Sequence, residues 1–587
     1  YSIDALLRIS EVHLKNGHVA EAIRFAEQAL QRTIRSEQIV YAYDHWECQW
    51  QLLRCYEQQY ADGVRPIKFL QQDVALIKET LQEAAQIRQT YFSSGSRLYY
   101  AEKMTALNEM GIRLLSKYYS QRDQYFMEHV WLFSENNKAN LLRYRMDTRQ
   151  AYQLLPEKVR QQMEQLVSRW NYFMMRNENE EEAEPYIRDS LVWYQSKYET
   201  LTKDIYSTYP EVYGRIYQVE PLSLKQVQQG LTKASVYISY FTDGDSYYRI
   251  VITPKSYKFS PTGKKKHTDS LVRQWREAIE NKTPEKQYGS QLAALLLPES
   301  LPQKLIISPD GMLHQLAFDA LPVKGRYLIY EHSVSSALSA ATYFHAAPPP
   351  VTEKIAGFFP DFSRSDYPPL SAEKENKALG QFTGYTRYAG NDATAQQLVL
   401  AAKSAKWLHI ATHIEIDSIS PIHSRLLMQP GTAPLDIGDI KHLQTSAQLV
   451  SLAACKGNFG QWQSGEGLLN FAWAFRYAGA HEVLLTQWSA SDKATATIME
   501  GFYHYLSKGT STEEALQKAK LDYIAQTDAV GARPFYWANF QLLADADETR
   551  LQSGIPLIKY LTALFLCLII CYLAYVLYQY RLVKPIR

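Results

Sequence analysis

At the start of the chain apolar side chains recur every three or four positions. Leu6, Ile9 and Leu14 mark one face, Val19, Ala22, Ile23, Ala26, Ala29 and Leu30 a second, and Gly17 stands between them. That period predicts two amphipathic helices joined by a tight turn, and small alanines at facing positions let such a pair stack closely. From residue 39 to 155 the period stays helical while the repeat blurs; Tyr43, Trp46, Trp50 and Leu53 keep it, as do Leu107, Met110, Leu114 and Leu115. Residues 157–209 read as long polar helices interrupted by an acidic run at 178–184, which is expected to be a solvated loop or helix end.

Past residue 222 the pattern changes. Short apolar runs at 235–241 and 247–252, joined by Thr242-Asp243-Gly244-Asp245, predict a hairpin. Further runs at 304–308, 354–359, 407–413, 449–455 and 482–488 alternate with helical stretches, and together they predict an α/β unit with a mainly parallel sheet between helices. Residues 560–578 carry no charge and are rich in Leu, Ile and aromatic side chains. As a helix they would extend ~28 Å, close to a bilayer's hydrocarbon thickness, so a membrane-spanning helix is expected there.

Composition removes some possibilities. The 587 residues are too many for one core, and 63 Lys+Arg against 61 Asp+Glu leave a net charge of +2, which gives no reason to expect a nucleic-acid partner. Five cysteines, Cys48, Cys55, Cys455, Cys567 and Cys571, have no spacing that forms a disulfide framework or a metal pair. Gly263-Lys264-Lys265-Lys266 lacks the earlier Gly and the following Ser or Thr of a phosphate loop and reads as a solvated turn. His409, His413 and His423 are the only zinc candidates. His409 and His413 lie on a strand, and Ile410 stands where a His-Glu-x-x-His motif has Glu, so no metal and no cofactor are expected.

The chemistry lies at two strand ends. Trp407-Leu408-His409-Ile410-Ala411-Thr412-His413 ends in an imidazole, and Leu449-Val450-Ser451-Leu452-Ala453-Ala454-Cys455 ends in a thiol. Side chains just past the carboxyl ends of neighbouring parallel strands can meet, and an imidazole beside a thiol lowers its pKa and later protonates the leaving group. Downstream of the thiol stands an ordered series: Gly465-Glu466-Gly467, Ala478-Gly479-Ala480, Trp488, Phe502-Tyr503 and Glu514-Ala515-Leu516.

This series resembles the CHAT domain, a caspase-like module of the separase and gingipain clan that is usually attached to tetratricopeptide repeats. The resemblance covers residues 222–544. The run Glu135, Asn137, Lys138, Ala139-Asn140-Leu141-Leu142 resembles the helix pair often found just before such domains. The resemblance implies His413 as general base and Cys455 as nucleophile, with the N–H groups of Ile414 and Cys455 facing an oxyanion. It also implies a carboxylate for a basic side chain of the substrate, for which Glu466, Asp492 and Asp417 are the candidates. Two positions depart from the pattern: Ile414 stands where Gly is common, and Lys456 where an acid is usual.

These readings divide the chain into tetratricopeptide-like repeats at 1–155, a helical linker at 156–221, a CHAT caspase-like peptidase domain at 222–547, a transmembrane helix at 557–579 and a basic tail at 580–587. Because the chain begins at Tyr1 without Met, further repeats or a targeting segment are expected upstream. The expected function is a membrane-anchored, repeat-regulated cysteine endopeptidase. Its repeats would hold a protein substrate or regulator, and its C-terminal helix would hold the membrane. Arg581, Lys584 and Arg587 after the span, against Lys559 before it, bias the tail to the cytosol, while the fold's relatives favour cytosolic domains, so sidedness stays open. The alternative is a non-catalytic signalling or protein-interaction scaffold built from the repeats and an inactive CHAT fold.

Overall fold

A computed structural model describes residues 2–35, 38–39, 42–90, 94–118, 123–179, 185–217, 221–345, 352–454, 457–489 and 491–546. The chain opens with α1 (Ile3–Lys15) and α2 (Val19–Arg32). Ser2 accepts a hydrogen bond from Ala5 N to cap α1, Gly17 turns at φ +77°, and Ala22, Ala26 and Ala29 are fully buried in the pair. Then come α3 (Ala42–Ala61), α4 (Leu70–Thr90), α5 (Ser94–Tyr118), α6 (Gln124–Asn136) and α7 (Asn140–Tyr152). Beyond them α8 (Glu157–Asn179) and α9 (Pro185–Thr208) pair through Trp170 on Tyr198, and α10 (Pro210–Tyr217) closes a small separate core around Ala151, Met163, Ile205 and Val212.

The α/β part is built on one sheet of eleven strands. In chain order they are β1 (Ser235–Thr242), β2 (Ser246–Ile252), β3 (Tyr257–Lys264), β4 (Lys304–Ser308), β5 (Ser333–Ser336), β6 (Ile355–Phe359), β7 (Tyr385–Ala389), β8 (Trp407–Ala411), β9 (Leu449–Ala453), β10 (Glu482–Thr486) and β11 (Phe540–Leu543). Across the sheet the order is β7-β6-β8-β9-β10-β11-β5-β4-β1-β2-β3. The expected mainly parallel sheet is corrected to a mixed one, in which, among the described residues, seven strand pairings are parallel and three antiparallel. β11 runs antiparallel to β10, and β1, β2 and β3 form an antiparallel meander. Residues 264–266, read as a solvated turn, end β3 and open the helix Lys265–Glu280.

The expected transmembrane helix is also corrected. No helix among the described residues is long and apolar enough to cross a membrane. The long helices are broken up by charge; α9 carries Arg188, Asp189, Lys197, Glu199, Lys203 and Asp204. Residues 557–579, on which the expectation rested, lie outside the described residues. The membrane partner and the single-pass location rested on that helix and are corrected with it, since none of the described residues supplies a span.

Helices and sheet share a core. One apolar cluster runs from Trp46 and Leu53 of α3 through Phe126, Val130 and Trp131 of α6 into Val236, Tyr237 and Ile238 of β1. A second lies on the other sheet face, around Leu408, Ile410, Val450 and Leu452, under the helix Phe471–Ala478. The end of that helix is held from α7, where Arg149 Nη2 donates to Ala478 O at 2.7 Å. Nearby, Arg476 pairs with Asp545 at 2.5 Å.

Burial, helped by neighbouring cations, depresses two imidazoles here. Burial first, then Arg476, His345 and Arg149, pushes His481 down to about 4. Burial, Lys441 and Arg145 do the same to His442, also to about 4. A base whose folded pKa is depressed adds stability above its unfolded value near 6.5 and loses it as the pH falls toward 4. For His481 the loss between pH 7 and 4.5 is roughly 2–3 kcal/mol. Urea midpoints of wild type and His481→Gln are therefore expected to converge as the pH drops; parallel pH profiles would refute the assignment.

Candidate functional site

β8 and β9 are adjacent, parallel and in register, with Trp407 opposite Leu449 and Ala411 opposite Ala453. Their buried, apolar residues place both strands in the middle of the sheet, so both leave by the same carboxyl edge. His413 follows two residues after β8. Its Nε2 donates to Pro368 O at 2.8 Å, its ring stacks on Tyr367 at 5.6 Å, and Phe362 meets it nearly edge-on at 4.7 Å. A carbonyl only accepts, so this bond puts a proton on Nε2. Behind the ring, Leu427 N donates to His413 O at 3.0 Å, and Tyr367 Oη donates to Glu415 at 3.3 Å.

Cys455 and Lys456 lie outside the described residues. The chain on either side of them is well tied. Thr486 Oγ1 donates to Ala454 O, Asn458 N donates to Thr486 O at 2.9 Å, and Asn458 Nδ2 donates to His314 O at 3.1 Å. Among the described residues the thiols are Cys48 and Cys55, both inside α3. Burial above all pushes them up to about 12 and about 11, far from the range of a reactive thiolate. No described thiol faces His413.

The remaining expected site residues lie on separate elements. Glu466 is 3% exposed, and its Oε1 accepts from Leu141 N at 2.6 Å, while Asn140 N donates to Gly465 O at 3.2 Å. The Gly465-Glu466-Gly467 turn thus caps the start of α7 from the sheet side. Asp492 sits exposed in the first turn of the helix Asp492–Ser507, where a carboxylate suits the helix dipole. Asp417 accepts from Ile419 N at 2.9 Å and Ser420 N at 2.8 Å, and those backbone bonds hold it below the usual carboxylate range. Ile414 pairs with Leu426 in a small antiparallel sheet. His423 lies 3.8 Å from Asp436, and among the described residues no group of three or more His, Cys, Asp or Glu side chains is placed to hold a metal ion.

Two buried polar groups are not apparent from the sequence. His409, with no exposed surface, bonds Glu375 Oε2 through Nε2 at 2.7 Å and Tyr503 Oη through Nδ1 at 2.8 Å. Lys138, just before α7, reaches into the sheet. Its ammonium donates to Ser239 Oγ at 2.7 Å and Ser308 Oγ at 2.9 Å, and lies 3.8 Å from Glu135. Glu135 in turn accepts from Ser239 Oγ at 3.1 Å and from Ala340 N at 2.7 Å. Ser239 and Ser308 are register partners on β1 and β4, so a small hydroxyl at matching positions of two apolar strands was the signal available.

The CHAT domain family model matches residues 286–545. Tetratricopeptide repeat protein 28 of Homo sapiens is 24% identical over 227 residues, a stretch that covers 32% of this chain and 9% of that protein. The Mus musculus protein of the same name matches at the same identity and coverage. The chain thus spans about 9% of the length of these curated relatives. Among solved structures, the Saccharomyces cerevisiae separase–securin complex aligns with a TM-score of 0.38 at 9% identity, covering 92% of this chain and 53% of that one. The Arg-specific cysteine proteinase gingipain R aligns with a TM-score of 0.32 at 12% identity, covering 47% of this chain and 74% of that one.

Proposed function

We propose that this chain, a CHAT-domain-containing protein of the caspase-like clan, works as a non-catalytic protein-interaction scaffold. The expectation of a membrane-anchored endopeptidase acting through a Cys-His dyad is corrected. Among the described residues His413 is engaged by Pro368, Tyr367 and Phe362 and faces no thiol, and no helix can cross a membrane.

One observation carries the scaffold reading: Glu135 and Lys138, at and just past the C-terminal end of α6, are 2% and 6% exposed inside the α/β part. Stacked helix pairs offer extended surfaces for protein partners. Fixing them to the sheet through a desolvated, hydrogen-bonded ion pair gives a partner a rigid platform instead of a loosely tethered one.

The test uses the full chain and its Cys455→Ala form, each incubated with a pooled peptide library enriched in Lys and Arg, and each used as bait in the native source. Neither form is expected to cleave, and both are expected to retain the same partners at the same stoichiometry. Turnover by wild type that disappears in Cys455→Ala would overturn the proposal.

A further inference from the structure

The two borders of the large sheet are built differently. β3, at one border, contains Pro261, carries Lys258 and Lys264, and is shifted in register against β2 beside Tyr247 and Tyr248. Proline, lysine and a bulge are the usual ways of stopping an edge strand from pairing further. β7, at the other border, reads Tyr-Thr-Arg-Tyr-Ala and pairs regularly with β6 over its whole length. Tyr388 stacks on Phe358 at 4.6 Å and 3°, which fixes the strand against its neighbour.

The pairing leaves half of the β7 backbone facing outward. Ile355 N donates to Gly384 O, so residues 384, 386 and 388 turn toward β6, and the N–H and C=O of Tyr385 and Arg387 point away from the sheet. Among the described residues no hydrogen bond reaches these outward groups.

Beside them runs a groove lined by Glu373, Asn376, Lys377, Gln381, Tyr385 and Arg387. Lys377 and Arg387 have no carboxylate within ion-pair distance among the described residues; of the groove's two carboxylates, Glu500 is met by Lys374 at 3.5 Å, and Glu373 stands on the helix rather than on the strand. A strand laid along β7 would place every second side chain in this groove, and a carboxylate there would meet a guanidinium able to bind it in two-point fashion.

We infer that β7 is a docking edge for an extended, acidic peptide segment of a partner protein, which adds to the sheet as a further strand. The main chain supplies the outward hydrogen bonds and an acidic side chain answers Arg387 and Lys377. The inference rests on the scaffold reading and names the partner's chemistry. Cys455-dependent turnover would end that reading and leave the edge untouched, and failure at the edge would leave the scaffold reading standing.

The test takes the full chain and a fluorescent pool of nine-residue peptides in which Glu or Asp alternates with Val, Ile or Thr. A second pool is the same but N-methylated at every other residue, so that it cannot complete a strand ladder. Wild type is expected to bind the first pool, to bind the second at least tenfold more weakly, and to show slowed amide exchange at residues 385–389 on binding. Arg387→Glu is expected to weaken the first pool at least tenfold; Arg387→Lys, keeping the charge, restores part of it. No binding of the first pool, equal binding of both pools, or unchanged exchange at 385–389 would overturn the inference. So would concentration-dependent protection of those amides without peptide, which would make a second copy of the chain the occupant.

Discussion

Lys138→Met is expected to cost about 3–5 kcal/mol, the usual loss when one member of a buried ion pair is removed and the other is left in place. The methionine fills the space of the lysine stem, so the loss reports the charge and its hydrogen bonds rather than a void. Glu135 would keep its bonds from Ser239 and Ala340 N but lose its counter-charge, and the hydroxyls of Ser239 and Ser308 would lose their donor. Asp310 would suffer too. Burial already holds its carboxyl above the usual range, with Lys138 the leading influence pulling it back. Adding Glu135→Gln to the variant is expected to return about 1–3 kcal/mol, because neighbours in one network do not add. Denaturant unfolding of single and double variants measures the coupling, and strict additivity would contradict it.

His409→Leu is expected to have a comparable effect, about 3–5 kcal/mol, by a different route. His409 is completely buried on β8, between a Glu375 that is 3% exposed and a Tyr503 that is 1% exposed. Leucine satisfies the packing and leaves the Glu375 carboxylate desolvated without its imidazole, while the Tyr503 hydroxyl keeps only Ser451 beside it. Glu375→Gln in the same background removes the stranded charge and is expected to recover most of the loss. A variant that unfolds at the wild-type denaturant concentration would show that water satisfies Glu375, contrary to its burial.

Much of this fold can be read in the residues because apolar runs at strand length are hard to mistake. The strands at 304–308, 355–359, 407–411, 449–453 and 482–486 all stand where hydrophobic stretches stop at small or polar residues. The hairpin of β1 and β2 is equally plain from its Asp-Gly turn. Strand direction is another matter. Nothing in Phe540-Gln541-Leu542-Leu543 says that it will slot between β10 and β5, antiparallel to the first and parallel to the second, because hydrophobicity carries no sign for chain direction. The segment after Cys455 differs from its apolar pattern for a similar reason. Leu468 and Leu469 continue the apolar pattern of the helix that follows, but Gly467–Leu469 pairs with Gln461–Gln463 before the helix Phe471–Ala478 begins.

The candidate site is legible only in part, because a side chain's type does not state its partner. His413 can be picked out as an imidazole closing a strand, but its bond to Pro368 O depends on a loop well upstream in sequence. Glu466 has the chemistry of a carboxylate for a basic ligand, yet it caps α7 across the junction. The junction itself is visible as a run of residues and not as a buried ion pair. Charged residues at a helix end usually face water, and only the matching serines on β1 and β4 hint otherwise.

That the helical region is built into the sheet can be measured most directly by native-state hydrogen exchange on wild type and Lys138→Met, following amides of Gln124–Asn136 and Ser235–Thr242 side by side. Both sets are expected to lose protection together and by the same factor when the lysine is removed. Sheet amides that stay protected while those of the helix open alone would mean two separately stable bodies, and the rigid-platform account would be wrong.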